Sequence, residues 1–123
     1  KPVIDLMPVV KVIERIDDFT VVFEEAGYKA WGEYGLPRRR FFTKDHDGYR
    51  KHNIHIYEAE NSEVERHLAF CAYLRNHQQV RIEYEELKRK AYQAHPANIE
   101  GYCDFKDAWI KQLEPVAIAW FQK

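Results

Sequence analysis

Apolar and polar positions along the chain follow two periods, and the switch falls near residue 60. Val3 to Val10 is apolar and β-branched apart from Asp5, which predicts a strand. Ile13, Ile16, Phe19, Val22, Phe23 and Ala26 then recur three and four apart, the spacing of one buried helical stripe. A helix is therefore predicted over 12–26, with Gly27 placed to end it. Tyr28 to Trp31 predicts a short strand, and Gly32 to Pro37, with two glycines and a proline, a loop. Arg39 to Lys44 and Lys51 to Glu60 predict two more strands around an Asp45-His46-Asp47-Gly48 turn. Past residue 60 the period becomes helical. Ser62-Glu63-Val64-Glu65 fits a capping box opening a helix to Asn76. A second helix is predicted from Gln79 to Ala94, and a third from Ile99 to Phe121 that Pro115 kinks or divides. This order predicts an α+β fold: a mixed β-sheet with packed helices and a helical C-terminal half. No repeat, low-complexity tract or linker interrupts it, so residues 1–123 are expected to form a single domain.

Composition narrows the function classes. With 123 residues, 46% of them hydrophobic, the chain can bury a core without staples. A formal net charge of -1 provides no whole-chain basic field, so bulk nucleic-acid binding is not expected. Cys71 and Cys103 lack C-x-x-C spacing and read as free, buried or half-buried thiols of a reducing compartment. No stretch approaches the roughly 18 apolar residues of a membrane span, and no signal peptide is visible. A cytoplasmic location is expected. An apolar strand this close to Lys1 leads us to expect a further N-terminal segment upstream, because domains seldom begin inside a core strand.

Asp5 is the first candidate for chemistry. A carboxylate in a run of Val, Ile and Leu is costly unless it faces an open site or a partner. It reads either as a metal-binding group at a cleft or as a strand-end carboxylate bonded to backbone or arginine. Alternation places Asp5 with Val3, Met7 and Val9 on one face. Arg38, Arg39 and Arg40 follow the glycine loop and read either as a phosphate grip or as a solvated basic corner. In the strand around residue 55, His52, Ile54, Ile56 and Glu58 share one face, and Asn53, His55 and Tyr57 the other. A two-histidine metal site is therefore not expected. His55 beside Asp5 on a neighbouring strand reads as an acid, base or phosphate donor, with a structural histidine as the rival. Arg75, His77, Lys88 and Lys106 lie on predicted helices, where surface charge is the ordinary role. P-loop, dinucleotide-fingerprint and nucleophile-elbow motifs are absent from the sequence.

Taken in order, several segments resemble one family. Lys1-Pro2-Val3-Ile4-Asp5-Leu6 is similar to the Lys-Pro-x-x-Asp strand of GrpB proteins. Ala26-Gly27-Tyr28, Gly32-Glu33-Tyr34-Gly35-Leu36 and Arg39-Arg40-Phe41-Phe42 resemble its Gly-Tyr…Gly-Glu-x-Gly…Gly-Arg segment. His52-Asn53-Ile54-His55-Ile56 looks like its His-x-x-His strand. His67-Leu68-Ala69-Phe70, Tyr73-Leu74-Arg75, Tyr84 with Leu87-Lys88, and Tyr102 with Lys106 complete a pattern that covers essentially the whole chain.

The resemblance implies a bacterial protein of nucleotidyltransferase-like fold and poorly defined role, which binds a nucleotide or another phosphorylated small molecule. Asp5 and His55 would be the catalytic residues of a degenerate nucleotidyltransferase. Asp5 would also hold Mg²⁺, and Arg39, Arg40, Arg75 and Lys88 would bind phosphate. In active nucleotidyltransferases two carboxylates on one strand and a third from a neighbour hold two metals. Here Asp5 matches the first and Met7 stands at the second. Glu58 could supply the third only through a twist or bulge. Arg38 stands where the family commonly has Gly. Phe70-Cys71-Ala72-Tyr73-Leu74 stands for Phe-Arg-Asp-Tyr-Leu, which replaces an ion pair by small side chains. The alternative implied is a non-catalytic interaction or chaperone-like domain associated with coenzyme A biosynthesis, since a related domain is fused behind dephospho-CoA kinase.

Overall fold

A computed structural model of the chain describes residues 3–123. Lys1 and Pro2, the start of the Lys-Pro-x-x-Asp segment, lie outside the described residues. The chain divides into two compact units, one ending at Val64 and one running from Glu65 to Lys123.

The first unit is built on a mixed sheet. Its strands are β1 (Ile4–Leu6), β2 (Val9–Val10), β3 (Lys29–Ala30), β4 (Arg40–His46) and β5 (Tyr49–Glu58). The order is β1-β5-β4-β3, with β2 also paired to β5. β1 and β2 run parallel to β5, whereas β4 is antiparallel to both β5 and β3. The strand predicted over Val3–Val10 thus forms as two pieces. Pro8 separates them, having no N–H for a ladder, and its carbonyl accepts from the Tyr57 amide at 3.3 Å. β4 and β5 close through Asp47 (φ 53°) and Gly48 (φ 80°), a two-residue hairpin turn whose backbone suits Gly.

The helix predicted over 12–26 forms as a 3₁₀ helix, Ile13–Phe19, followed by a short α1, Thr20–Glu25. Isoleucine, aspartate, phenylalanine, threonine and valine crowd this stretch, and all are weak α-formers. Its apolar stripe is nonetheless used as the period implied. Ile13, Phe42, Ile54 and Ile56 form the buried cluster, with Val10, Ile16, Phe23, Tyr28 and Ala30 against it. Phe23 stacks on Phe42 at 4.2 Å between ring centroids. One sheet face is therefore packed beneath the helical segment. Strand alternation sends the neighbours of those residues, Asp5, Asn53, His55, Phe41 and Thr43, to the other face.

From Ser62 onward the chain is helical, as the period predicted: α2 (Ser62–Asn76), α3 (Gln78–Ala94) and α4 (Ile99–Phe121). Asn61, not Ser62, caps α2, its Oδ1 accepting from the Glu63 amide at 2.9 Å. Both side chains suit a cap, and the chain takes the one placed a residue earlier. Asn98 caps α4 in the same way, accepting from Gly101 at 3.0 Å. α4 runs through Pro115 as one helix. In the second unit Tyr84 stacks on Trp109 at 5.2 Å, Phe70 meets Tyr84 edge-on, and Arg66 is paired with Glu114. Cys71 and Cys103 are free but exposed, which corrects the expectation of buried thiols. Both thiols stay open to solvent, Cys71 on α2 and Cys103 on α4. No helix among the described residues is long and apolar enough to cross a membrane.

Candidate functional site

The sheet face opposite the core brings Asp5 and His55 together. Asp5 is registered with Asn53 on β5, and His55 with Phe41 on β4. Asn53 Nδ2 donates to Asp5 Oδ1 at 3.0 Å, and His55 Nε2 lies 3.5 Å from the same oxygen. Arg50 fixes the amide in turn, donating to Asn53 Oδ1 at 2.9 Å while it pairs with Asp45 at 2.6 Å. Asp5 stays 65% exposed and His55 24%. An anionic oxygen is thus presented to solvent by a carboxylate whose other oxygen is anchored.

Arg39 completes the constellation from beneath. It is 8% exposed, and three of its donors are engaged. Nε donates to the Glu33 carbonyl at 3.0 Å, Nη2 to the Tyr34 carbonyl at 2.7 Å, and Nη1 approaches His55 Nδ1 at 3.4 Å. A guanidinium can only donate, so His55 Nδ1 is the accepting nitrogen and Nε2 carries the proton towards Asp5. Burial pushes the His55 pKa down from its ordinary 6.5, Asp5 opposes that shift, and the Arg39 charge reinforces it. His55 is held neutral near physiological pH. Arg39 therefore acts as the brace of the Gly32–Arg38 loop and of the imidazole, rather than as an open phosphate clamp.

The other predicted residues lie elsewhere. Arg40 points to the packed side, registered with Ile56, and its Nε bonds Asp17 at 2.8 Å. It does not join Asp5 and His55 because adjacent strand residues alternate faces. Glu58 is spent on structure, accepting from the Ile13 amide at 3.2 Å and from Arg38 Nε at 2.8 Å. Arg75 lies in the last turn of α2, and Lys88 on α3 sits 4.7 Å over the Tyr84 ring, both in the second unit. His77 in that unit stacks on Tyr73 at 3.8 Å and donates to its carbonyl, a packing role.

A row of rings that the predicted site did not include lies beside His55. Phe41 stacks on His55 at 4.9 Å, Tyr34 lies 5.4 Å from Phe41, and Trp31 5.1 Å from Tyr34. Their spacing does carry a signal, since Trp31 directly precedes the glycine loop, Tyr34 lies within it and Phe41 follows it in β4. The donor set bears on metal binding too. Among the described residues no three His, Cys, Asp or Glu side chains gather to hold an ion. Mg²⁺ is commonly bound through one or two carboxylates with phosphate and water completing the shell. Asp5 fits that single-carboxylate role, whereas Met7 offers a soft thioether.

The family described as GrpB protein matches residues 1–115. The UPF0157 protein YqkA of Bacillus subtilis (strain 168) is 40% identical over 120 residues, which are 98% of this chain and 35% of that protein. The UPF0157 protein PA4798 of Pseudomonas aeruginosa is 27% identical over 122 residues, 97% of this chain and 50% of that protein. The chain thus spans between about a third and a half of these two relatives. The crystal structure of conserved protein GrpB from Enterococcus faecalis superimposes with a TM-score of 0.93 at 40% identity, over 100% of this chain and 73% of that one.

Proposed function

The chain belongs to the GrpB family, and from that premise we propose that the sheet face carrying Asp5 binds a phosphorylated ligand, a nucleotide, with Asp5 and His55 at the phosphates. The observation that carries this reading is the exposed Asp5 carboxylate, anchored through one oxygen by Asn53 and standing 3.5 Å from His55 Nε2. Asp5 would share a Mg²⁺ ion with the ligand's phosphates. That ion would neutralise phosphate charge. His55 Nε2–H is placed to donate to a phosphate oxygen beside Asp5, and the adjoining carboxylate can accept a proton from a ligand hydroxyl. One carboxylate does not supply the set that two-metal nucleotidyl transfer uses, so the reading is of ligand binding in a nucleotidyltransferase-like domain. The second reading, a non-catalytic interaction module, is favoured by apolar side chains left open on the first unit, among them Phe19, Val21 and Val22.

Thermal melting with nucleoside triphosphates, with and without Mg²⁺, tests the proposal. A ligand at a hundred times its Kd stabilises the folded state by about 2.7 kcal/mol, a shift of several degrees. Melting that no nucleotide and no inorganic triphosphate moves, with Mg²⁺ present, would remove the phosphate site and leave the interaction module.

A further inference from the structure

We infer that the base of the nucleotide stacks on Tyr34, so that the row of rings beside His55 forms a base platform; this rests on the phosphate site proposed above. Three observations converge on Tyr34. It is the open ring of the row, 59% exposed. Trp31 is committed: its Nε1 donates to Thr43 Oγ1 at 2.8 Å, and the Lys29 ammonium covers its ring at 4.1 Å. Phe41 is committed as well, lying between His55 and Tyr34 with the Arg39 guanidinium 4.8 Å from its centroid.

The backbone of Tyr34 makes the second point. It has φ 49°, a left-handed conformation that bulky residues rarely adopt. The loop keeps it there: Gly32 and Gly35 on either side also have positive φ, and buried Arg39 grips the Glu33 and Tyr34 carbonyls. A costly conformation held by a buried arginine fixes where the ring stands before any ligand arrives, which lowers the entropy lost on binding.

Position supplies the third. The arginine that braces Tyr34 also braces His55, so platform and phosphate site are set by one side chain. Only one ring, Phe41, separates them. A nucleoside phosphate joins a planar base to an anionic tail over such a span. Trp31 meets Tyr34 edge-on, inclined 67° to it, and holds the platform ring from one side. Stacking reads no base edge, so any base is accepted, and purines gain most from their larger area.

The test compares ATP with inorganic triphosphate, both with Mg²⁺, by calorimetry on the purified protein. Tyr34→Gly removes the ring and suits the left-handed backbone, and Tyr34→Phe keeps the ring. The parent should bind ATP on the order of tenfold tighter than triphosphate. Tyr34→Gly should lose that advantage and leave triphosphate affinity unchanged, and Tyr34→Phe should retain it. Equal affinity of the parent for both ligands, or unchanged ATP affinity in Tyr34→Gly, overturns the platform while the phosphate site stands. Loss of both ligands in a natively melting Tyr34→Gly makes the ring a structural element and overturns the platform too. Binding of neither ligand by the parent overturns the phosphate site and the platform with it.

Discussion

Replacing Arg38 by alanine and by glycine separates a backbone cost from an ion-pair gain. Arg38 has φ 61°, which costs a residue with a Cβ about 1–2 kcal/mol. Its side chain works against that cost by tying the loop to β5 and to the 3₁₀ helix. Nε donates to Glu58 Oε1 at 2.8 Å, and Nη2 reaches Glu14 Oε1 at 2.8 Å and Glu58 Oε2 at 3.1 Å. Its amide also donates to Glu33 Oε2 at 2.6 Å, and both variants keep that bond. Both delete the guanidinium, but glycine alone relieves the backbone. After allowing for the extra freedom of glycine in the unfolded chain, the glycine variant should be the more stable by about 1 kcal/mol. That corresponds to a Tm difference of about 4 °C. Acid supplies a second readout. The Arg38 guanidinium holds the Glu58 and Glu14 carboxyls below their ordinary 4.5. Groups depressed in the folded state contribute stability above their unfolded pKa and lose it as pH falls through the folded value. The parent's advantage over the alanine variant should therefore be full near neutral pH and shrink as pH drops below about 4.5. Thermal melts across that range measure both effects. An alanine variant that melts with or above the glycine variant would refute the backbone argument, and a gap independent of acid would refute the ion-pair one.

Further outcomes follow from the same geometry. His55 should titrate by NMR with a midpoint below 6.5, and Asp5→Asn, which removes the opposing carboxylate, should lower it further; an upward move would contradict the contact. Because the unfolded chain protonates His55 first, the parent should lose stability as pH falls below 6.5, and His55→Asn should flatten that slope in melts. Gly101→Ala should fail to gain the roughly 1 kcal/mol that alanine usually brings to a helix. Its Cβ would stand 2.5 Å from His95 Nδ1 and 2.9 Å from the capping Asn98 Nδ2, so a melting point above the parent's would contradict that crowding.

The two periods were enough to read the fold because burial imposes them. The stripe Ile13, Ile16, Phe23 packs on Phe42, Ile54 and Ile56, whichever kind of helix carries it. Hence the core was legible where the 3₁₀ conformation was not, since that choice turns on weak propensities in a crowded stretch. Parity likewise placed Asp5 and His55 on one face, but it says nothing of depth. Arg39 and Arg40 look alike in sequence, yet one is buried under His55 and the other bonded to Asp17 on the packed side. Phase relative to β4 decides that difference, and three consecutive arginines carry no phase. The stance of Tyr34 was not legible, because its left-handed backbone is held by Arg39, a contact five residues away. The glycine missing at position 38 was visible in the sequence, and its meaning, φ 61°, appears only in the folded chain.

We propose that Asp5 is a ligand group and not a fold element, and one paired experiment distinguishes the two. Asp5→Asn is measured by calorimetry against ATP with and without Mg²⁺, and by thermal melting on the same sample. The carboxylate is 65% exposed and its anchored oxygen can be replaced by an amide oxygen accepting from Asn53, so melting should be nearly unchanged. The amide is a poor ligand for a hard cation, so the Mg²⁺-dependent part of ATP binding should vanish. An Asp5→Asn protein that binds ATP with the parent's affinity and metal dependence shows that Asp5 is no ligand, and one that loses its fold shows a structural carboxylate.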